Sequence, residues 1–172
     1  MAMTGDGPNA LATHLHKGPK DARYVENVIE HAFLSELLRH CWFVLGGHPV
    51  EVIRPDVDAG GYDLVLEAWK RPRYIQLKSR WQGASGPRVL NINSRLLLHP
   101  NPCIVWIFWE ADTSTGEVTL QYKYWDPALL DVMDWPRPES GDPTFRLTPS
   151  HFVPDYLNIP DLVTRLFRVS HP

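Results

Sequence analysis

The chain has 172 residues, a formal net charge of −3 at pH 7 and 44% hydrophobic residues. This length and apolar content are typical of a single domain with one well-buried core. No apolar run reaches the roughly 18 residues that a membrane-spanning helix needs, and the first residues lack the basic-then-apolar pattern of a signal peptide. We therefore expect a cytoplasmic protein that does not enter a membrane.

The two cysteines fit that expectation. Cys41 lies in a helical pattern and Cys103 in an apolar run. We predict two small buried residues rather than a disulfide or a zinc site.

The net charge conceals a local excess of basic residues. Between positions 70 and 95 the sequence has no Asp or Glu and seven of its 17 basic residues: Lys70, Arg71, Arg73, Lys78, Arg80, Arg88 and Arg95. Such a segment suits a polyanion, and the six other than Lys78 are candidates for nucleic-acid binding. The alternative is a solvated surface of mixed charge.

Residues 1–20 have no sustained periodicity and are predicted to form a flexible arm, ahead of a single domain over residues 21–172. From Asp21 to Trp42 apolar residues recur at steps of three and four, which predicts a helix. At about 100° per residue, Glu30 falls in the middle of its apolar face. A carboxylate directed at a core is costly unless it meets a cation, so Glu30 is a candidate site residue. The alternative is a helix rotated so that Glu30 reaches the rim.

Short apolar runs at Trp42–Leu45 and Val50–Ile53, separated by Gly46–Pro49, predict the entry to a sheet. Two further strands are predicted at Leu64–Ala68 and Tyr74–Ser79. Their connection contains Pro72, which argues against continuous strand there.

An antiparallel hairpin centred on that connection pairs Glu67 with Tyr74, Val65 with Gln76, and Asp63 with Lys78. Because side chains alternate along a strand, Asp63, Gln76 and Lys78 then share one face of the hairpin. A slip of one residue on one strand would separate them.

The remaining segments are assigned in chain order. We predict a strand or a short helix at Arg88–His99, a central strand at Pro102–Trp109, a half-exposed strand over Val118–Tyr124, a helix from Asp126 to about Trp135, a proline-rich peripheral loop, and a last helix over Pro160–Val169.

The hairpin residues and Glu30 have the chemistry of a metal site. The carboxylates of Glu30 and Asp63, the amide oxygen of Gln76 and the carbonyl of Leu77 are oxygen ligands of the kind that Mg²⁺ or Mn²⁺ prefers. Lys78 beside them can orient a water or stabilise charge on a phosphate. We therefore predict Glu30, Asp63, Gln76 and Lys78 as catalytic residues, the first three as metal ligands.

At these residues the sequence resembles the PD-(D/E)XK nuclease superfamily, and most closely its Mrr-like restriction endonuclease branch. The resemblance rests on Glu30 followed by Trp42 at a helix end, on Gly-Gly-Tyr-Asp63-Leu-Val-Leu at a strand start, and on Ile75-Gln76-Leu77-Lys78 in the next strand. Gln76 replaces the usual second acid. The resemblance covers about residues 25–125 and leaves residues 126–172 as a peripheral part.

The resemblance implies an α/β fold with a central mixed β-sheet flanked by helices, as in restriction endonucleases, and Mg²⁺-dependent hydrolysis of DNA. It suggests a role in restriction or defence, and a homodimer would serve to cut both strands. A second hypothesis is a catalytically silent nuclease-fold module that binds nucleic acid or a protein partner. RNA as a substrate, and a hairpin whose Asp63 and Lys78 form only a surface ion pair, are further alternatives.

Overall fold

The computed structural model describes residues 19–56, 60–86, 88–129 and 144–169. The arm predicted at residues 1–20 lies almost wholly outside these ranges. The part of the predicted Asp126–Trp135 helix that follows residue 129, and much of the proline-rich loop, also lie outside them. None of the described helices is long and apolar enough to cross a membrane. The main elements are α1 (Pro19–Arg39), a π-helix (His40–Val44), β1 (Glu51–Ile53), β2 (Leu64–Ala68), β3 (Arg71–Trp81), β4 (Leu90–Asn93), a 3₁₀ helix (Ser94–Leu98), β5 (Pro102–Ala111), β6 (Val118–Trp125), β7 (Thr144–Leu147) and α2 (Ile159–Phe167).

Helix α1 confirms the predicted helix and its apolar face, since Ile29, Phe33 and Leu37 are buried. After Arg39 the chain continues as a π-helix, so the strand predicted at Trp42–Leu45 is wrong. A short apolar run fits a strand or a helix equally well. Here the backbone groups of the run form helical hydrogen bonds within the chain instead of pairing with another strand. One of them joins the Leu45 N–H to the His40 carbonyl at 3.2 Å.

A five-stranded sheet with the order β1-β2-β3-β5-β6 forms the centre of the fold. The β3–β5 pair is parallel, and the other neighbours are antiparallel. Strand β5 is the predicted central strand, and its residues 103–109 are all buried. The predicted α/β fold with a central mixed sheet flanked by helices is therefore confirmed.

The hairpin of β2 and β3 has a tighter turn than the sequence predicted. Trp69 and Lys70 form the turn with φ values of 50° and 58°, and β3 begins at Arg71. Pro72 consequently lies inside the strand, paired with Glu67, which corrects the prediction of a break there. Proline is tolerated because β3 begins to pair with β5 only at Tyr74, so Pro72 has a neighbouring strand on one side alone.

The short turn shifts the hairpin register by two residues. Val65 pairs with Tyr74 and Leu64 with Ile75, instead of the predicted pairing of Val65 with Gln76. Because the side-chain period of a strand is two, this shift does not exchange the faces. Asp63 accordingly lies beside the segment around Gln76 rather than directly opposite Lys78.

The two faces of the sheet are covered differently. Both helices pack on the face that carries Leu64, Leu66 and Ile75. The opposite face, with Trp106 and Phe108, is covered by the small antiparallel sheet of β4 and β7. The segment predicted as strand or short helix at Arg88–His99 is both in succession, β4 and then the 3₁₀ helix.

Both cysteines are buried free thiols, as predicted. Burial raises the pKa of Cys41 to about 11 and that of Cys103 to about 12. At neutral pH both are protonated, as expected of core residues.

Candidate active site

A cleft of about 310 Å³ lies between the N-terminal half of α1 and the sheet. Glu30 from α1, Asp63 from the segment before β2 and Lys78 from β3 all line it. The structure thus brings together three of the four predicted catalytic residues from three separate elements.

Asp63 is held in place by the loop before it and by β3. Its N–H donates to the Ile75 carbonyl at 2.9 Å, and its Oδ2 accepts from the Leu77 N–H at 2.6 Å. Gly61 takes a φ of +72°, and a Cβ at that position would lie 2.9 Å from the Leu96 nitrogen. A glycine is therefore required for the close approach that presents Asp63, whose side chain remains exposed to solvent.

Glu30 lies on the buried side of α1, next to Ile29, and its side chain is 24% exposed. Its Oε1 accepts hydrogen bonds from Arg54 Nη2 at 2.7 Å and Nε at 3.0 Å. A partly buried carboxylate needs such a cation, and Arg54 follows β1 directly. The alternative of a helix rotated away from the core is not observed, because the predicted apolar face is the buried one.

Lys78 is half-buried in β3, opposite Trp106 of β5. The ion pairs found among the described residues are Glu30–Arg54 and Arg73–Asp126. Neither of these pairs joins Asp63 to Lys78. Lys78 is among the residues that line the cleft, and neither of these two ion pairs includes it.

Gln76 departs from the predicted arrangement. Its residue surface is 8% exposed, and in the described part of the chain it is not among the residues that line the cleft. Its Oε1 is buried with no hydrogen-bond partner found. An unpaired buried amide oxygen is costly and open to a ligand, so the chemistry of Gln76 fits a cation even though Gln76 is not part of the described cleft lining.

The predicted basic segment does not form one surface. Lys70 and Arg71 are exposed at the hairpin turn. They are seven or more residues from Lys78, about 23 Å along the strand at about 3.3 Å per residue. Arg95 is exposed on the 3₁₀ helix.

Arg73 is a correction to the predicted nucleic-acid contacts, because it is 4% exposed inside the protein. It donates to Asp126 Oδ2 at 2.9 Å and to the Tyr124 hydroxyl. An arginine in a buried ion pair is not available to a nucleic acid at the surface.

Arg80 and Arg88 serve local structure in part. Arg80 Nη2 donates to the carbonyls of Ala84, Ser85 and Gly86 at 2.8–3.2 Å, which ties down the loop after β3. Arg88 is exposed and its guanidinium lies 5.6 Å from the Phe108 ring centre.

Sequence reasoning missed several residues of the cleft. Arg23, Asn27 and Ser79 line it, and Arg54 contacts Glu30 at its side. The helical period itself gave a signal for Asn27 and Arg23, which precede Glu30 by about one turn and about two turns, respectively. Nothing local indicated Arg54.

No protein-family model matches this chain, and no curated protein matches it. Among solved structures, the chain is similar to Hjc, a Holliday junction resolvase from the archaeal hyperthermophile Archaeoglobus fulgidus. The two are 14% identical, the alignment covers 77% of this chain and 98% of that chain, and the TM-score is 0.45. At this identity and TM-score the similarity carries no information on activity.

Proposed function

We propose that the protein is a metal-dependent endonuclease that hydrolyses DNA phosphodiester bonds in the cleft between α1 and β3. The observation that carries the proposal is the convergence of Glu30, Asp63 and Lys78 on one cleft. Two carboxylates and an ammonium group are the groups that such hydrolysis needs. We place this activity in the cytoplasm, in restriction or defence against foreign DNA, with a homodimer to cut both strands.

The cleft suits a cation that retains part of its water shell. Among the described residues, no three His, Cys, Asp or Glu side chains come together as a metal-binding group. Mg²⁺ does not require one, since it is usually held by one or two carboxylates with waters and substrate phosphate. Asp63 and Glu30 provide those carboxylates, and the Leu77 backbone lies beside them.

Each side chain of the cleft has a distinct part in the proposed reaction. A bound divalent cation would polarise the phosphate and lower the pKa of a coordinated water. Asp63 and Glu30 are kept in orientation by the Leu77 N–H and by Arg54. Lys78, which lines the cleft from strand β3, would stabilise the negative charge that develops on the oxygens around the phosphorus.

The first prediction concerns cleavage of a supercoiled plasmid with Mg²⁺ or Mn²⁺. We expect the wild-type protein to cut it and EDTA to stop the reaction. Asp63→Asn and Lys78→Gln should each slow cleavage about 100-fold or more, the usual loss when a transition-state contact is removed. Agarose gel assays of the initial rate measure this.

Glu117→Gln is the matched control, since Glu117 is an exposed acid outside the cleft lining. It should cleave at the wild-type rate. Cleavage that persists in EDTA, or that survives both cleft substitutions, would exclude this site as the nuclease centre. Equal turnover of an RNA duplex would assign RNA to the same site.

A catalytically silent module is the second candidate function. It is favoured by the absence of Gln76 from the described cleft lining and by the hydrogen bonds from Arg54 to Glu30 Oε1. This candidate predicts salt-sensitive DNA binding without turnover in any divalent metal. A purified wild-type protein that binds a duplex but never cuts it would favour this second function.

A further inference from the structure

The charge of the cleft is low for a site that must accept a polyanion. Among the described residues, its lining holds the acids Glu26, Glu30 and Asp63 against the bases Arg23 and Lys78, for a formal charge of −1. Arg54, paired with Glu30 beside the lining, brings the formal charge to zero. Any phosphate in the cleft is therefore attracted by particular basic groups and not by a general positive field.

Arg54 has unused capacity to bind an anion. A guanidinium carries five N–H donors, and the described structure shows two bonds from Arg54, from Nε and Nη2 to the same Glu30 oxygen. The Arg54 side chain is 48% exposed, so its remaining donors are accessible to solvent. Planar guanidinium groups bind phosphate oxygens with charge-assisted hydrogen bonds.

Glu30 also has an unused oxygen. The described hydrogen bonds of its carboxylate involve Oε1 alone, which leaves Oε2 for a cation. Arg54 can thus keep Glu30 oriented while it contacts a phosphate with its other donors.

Arg23 is a second basic residue at the cleft. It is exposed on the N-terminal half of α1 and lines the cleft. By contrast, Lys70 and Arg71 lie at the far end of β3, and Arg73 is buried.

We propose that Arg54 and Arg23 are the phosphate-binding residues of this site, so that the DNA backbone crosses the cleft over the end of β1 and the N-terminal half of α1. The proposal rests on the proposed function and gives the substrate a path that the basic segment at positions 70–95 did not indicate. Because the cleft is neutral without a metal, tight binding should also require a divalent cation.

The test is fluorescence anisotropy with a labelled 20-base-pair DNA duplex over a series of salt concentrations. All proteins carry Lys78→Gln, which slows cleavage and keeps every carboxylate of the cleft. With Ca²⁺ or Mn²⁺ present, adding Arg54→Gln should weaken binding about tenfold, as for loss of a charge-assisted hydrogen bond. It should also lower the slope of log affinity against log salt by about 0.9.

Three further variants separate contact with phosphate from a structural role. Arg54→Lys should restore most of the salt slope, since it keeps the charge. Arg23→Gln, at an exposed helix position where folding is not at risk, should lower the slope by a similar amount. Arg146→Gln is the matched control, an exposed arginine on β7, and should change neither quantity.

The inference is overturned if Arg54→Gln and Arg23→Gln bind the duplex with the same affinity and salt slope as Arg146→Gln. If the wild-type protein cleaves plasmid while these variants bind the duplex normally, the proposed role of Arg54 and Arg23 is overturned and the proposed function stands. If no protein of the series binds DNA in any metal and the wild-type protein neither binds the duplex nor cleaves plasmid, both are overturned.

Discussion

The side chain of Gln76 is buried in strand β3, and its amide oxygen has no hydrogen-bond partner in the described structure. Asp63 contacts the residues on either side of it, Ile75 through the backbone and Leu77 through the carboxylate. Gln76 is thus enclosed next to a candidate metal ligand. Substitution of Gln76 therefore tests whether a metal ion is coordinated by the side chain at this position.

We predict that Gln76→Glu lowers the free energy of unfolding in EDTA by about 1–3 kcal/mol, because a charged group replaces a buried amide. Mn²⁺ should raise the melting temperature of this variant more than that of the wild type, since a carboxylate is a stronger ligand for a hard cation. Gln121→Glu, at an exposed position of β6, is the control. Equal Mn²⁺ shifts in all three proteins would remove Gln76 from the metal site.

Residue-scale predictions from the sequence succeeded where they depended on local period. The place of Glu30 on the apolar face of α1 follows from a repeat of three and four residues. The partners of charged residues follow from no such repeat: Arg54 meets Glu30 across 24 positions of sequence, and Arg73 meets Asp126 across 53. The run of basic residues at positions 70–95 therefore predicted a single positive surface, whereas the fold places these residues in separate parts of the molecule.

At the scale of elements, the hairpin turn determines where the site lies along the sheet. Two residues, Trp69 and Lys70, close the turn in the left-handed region. Such turns usually contain Asn or Gly, and neither occurs here, so the sequence favoured a longer connection. Packing holds Trp69 in this turn, since its ring centre lies 5.3 Å from that of Phe167.

Lys70 provides a test of that turn. We predict that Lys70→Gly is more stable than Lys70→Ala by about 0.5–1 kcal/mol, because glycine adopts a positive φ without the steric cost that alanine meets. Both substitutions remove the same exposed side chain, so the comparison isolates the backbone. Urea unfolding measures the difference, and an alanine variant of equal or greater stability would contradict the left-handed turn.

At the scale of the whole molecule, the cluster beneath the helices joins parts of the chain that are distant in sequence. Cys41 in the π-helix that follows α1 and Cys103 in β5 both belong to it, together with Leu162 of α2. A core shared in this way is expected to unfold as one unit.

We predict that both thiols resist a thiol reagent at pH 8 in the native protein. Their pKa values of about 11 and 12 leave little thiolate, and burial blocks access. In increasing denaturant, labelling of the two should coincide with the loss of tryptophan fluorescence. Mass spectrometry of labelled peptides checks this, and rapid labelling of one thiol in native buffer would show a less cooperative core.

The point at which β2 ends has a further consequence for the sheet. Strand β3 pairs with β2 as far as Ile75 but with β5 as far as Trp81, so in the described structure residues 76–81 have no neighbouring strand on the β2 side. An open strand edge invites strands of other molecules unless charges or side-chain bonds block it. Asp63 accepts a hydrogen bond from the Leu77 N–H, and Lys78 adds a charge to the open edge. We therefore expect both residues to oppose edge-to-edge aggregation. Solubility and the proposed catalysis both depend on these two side chains, so their substitutions are best made with polar isosteres.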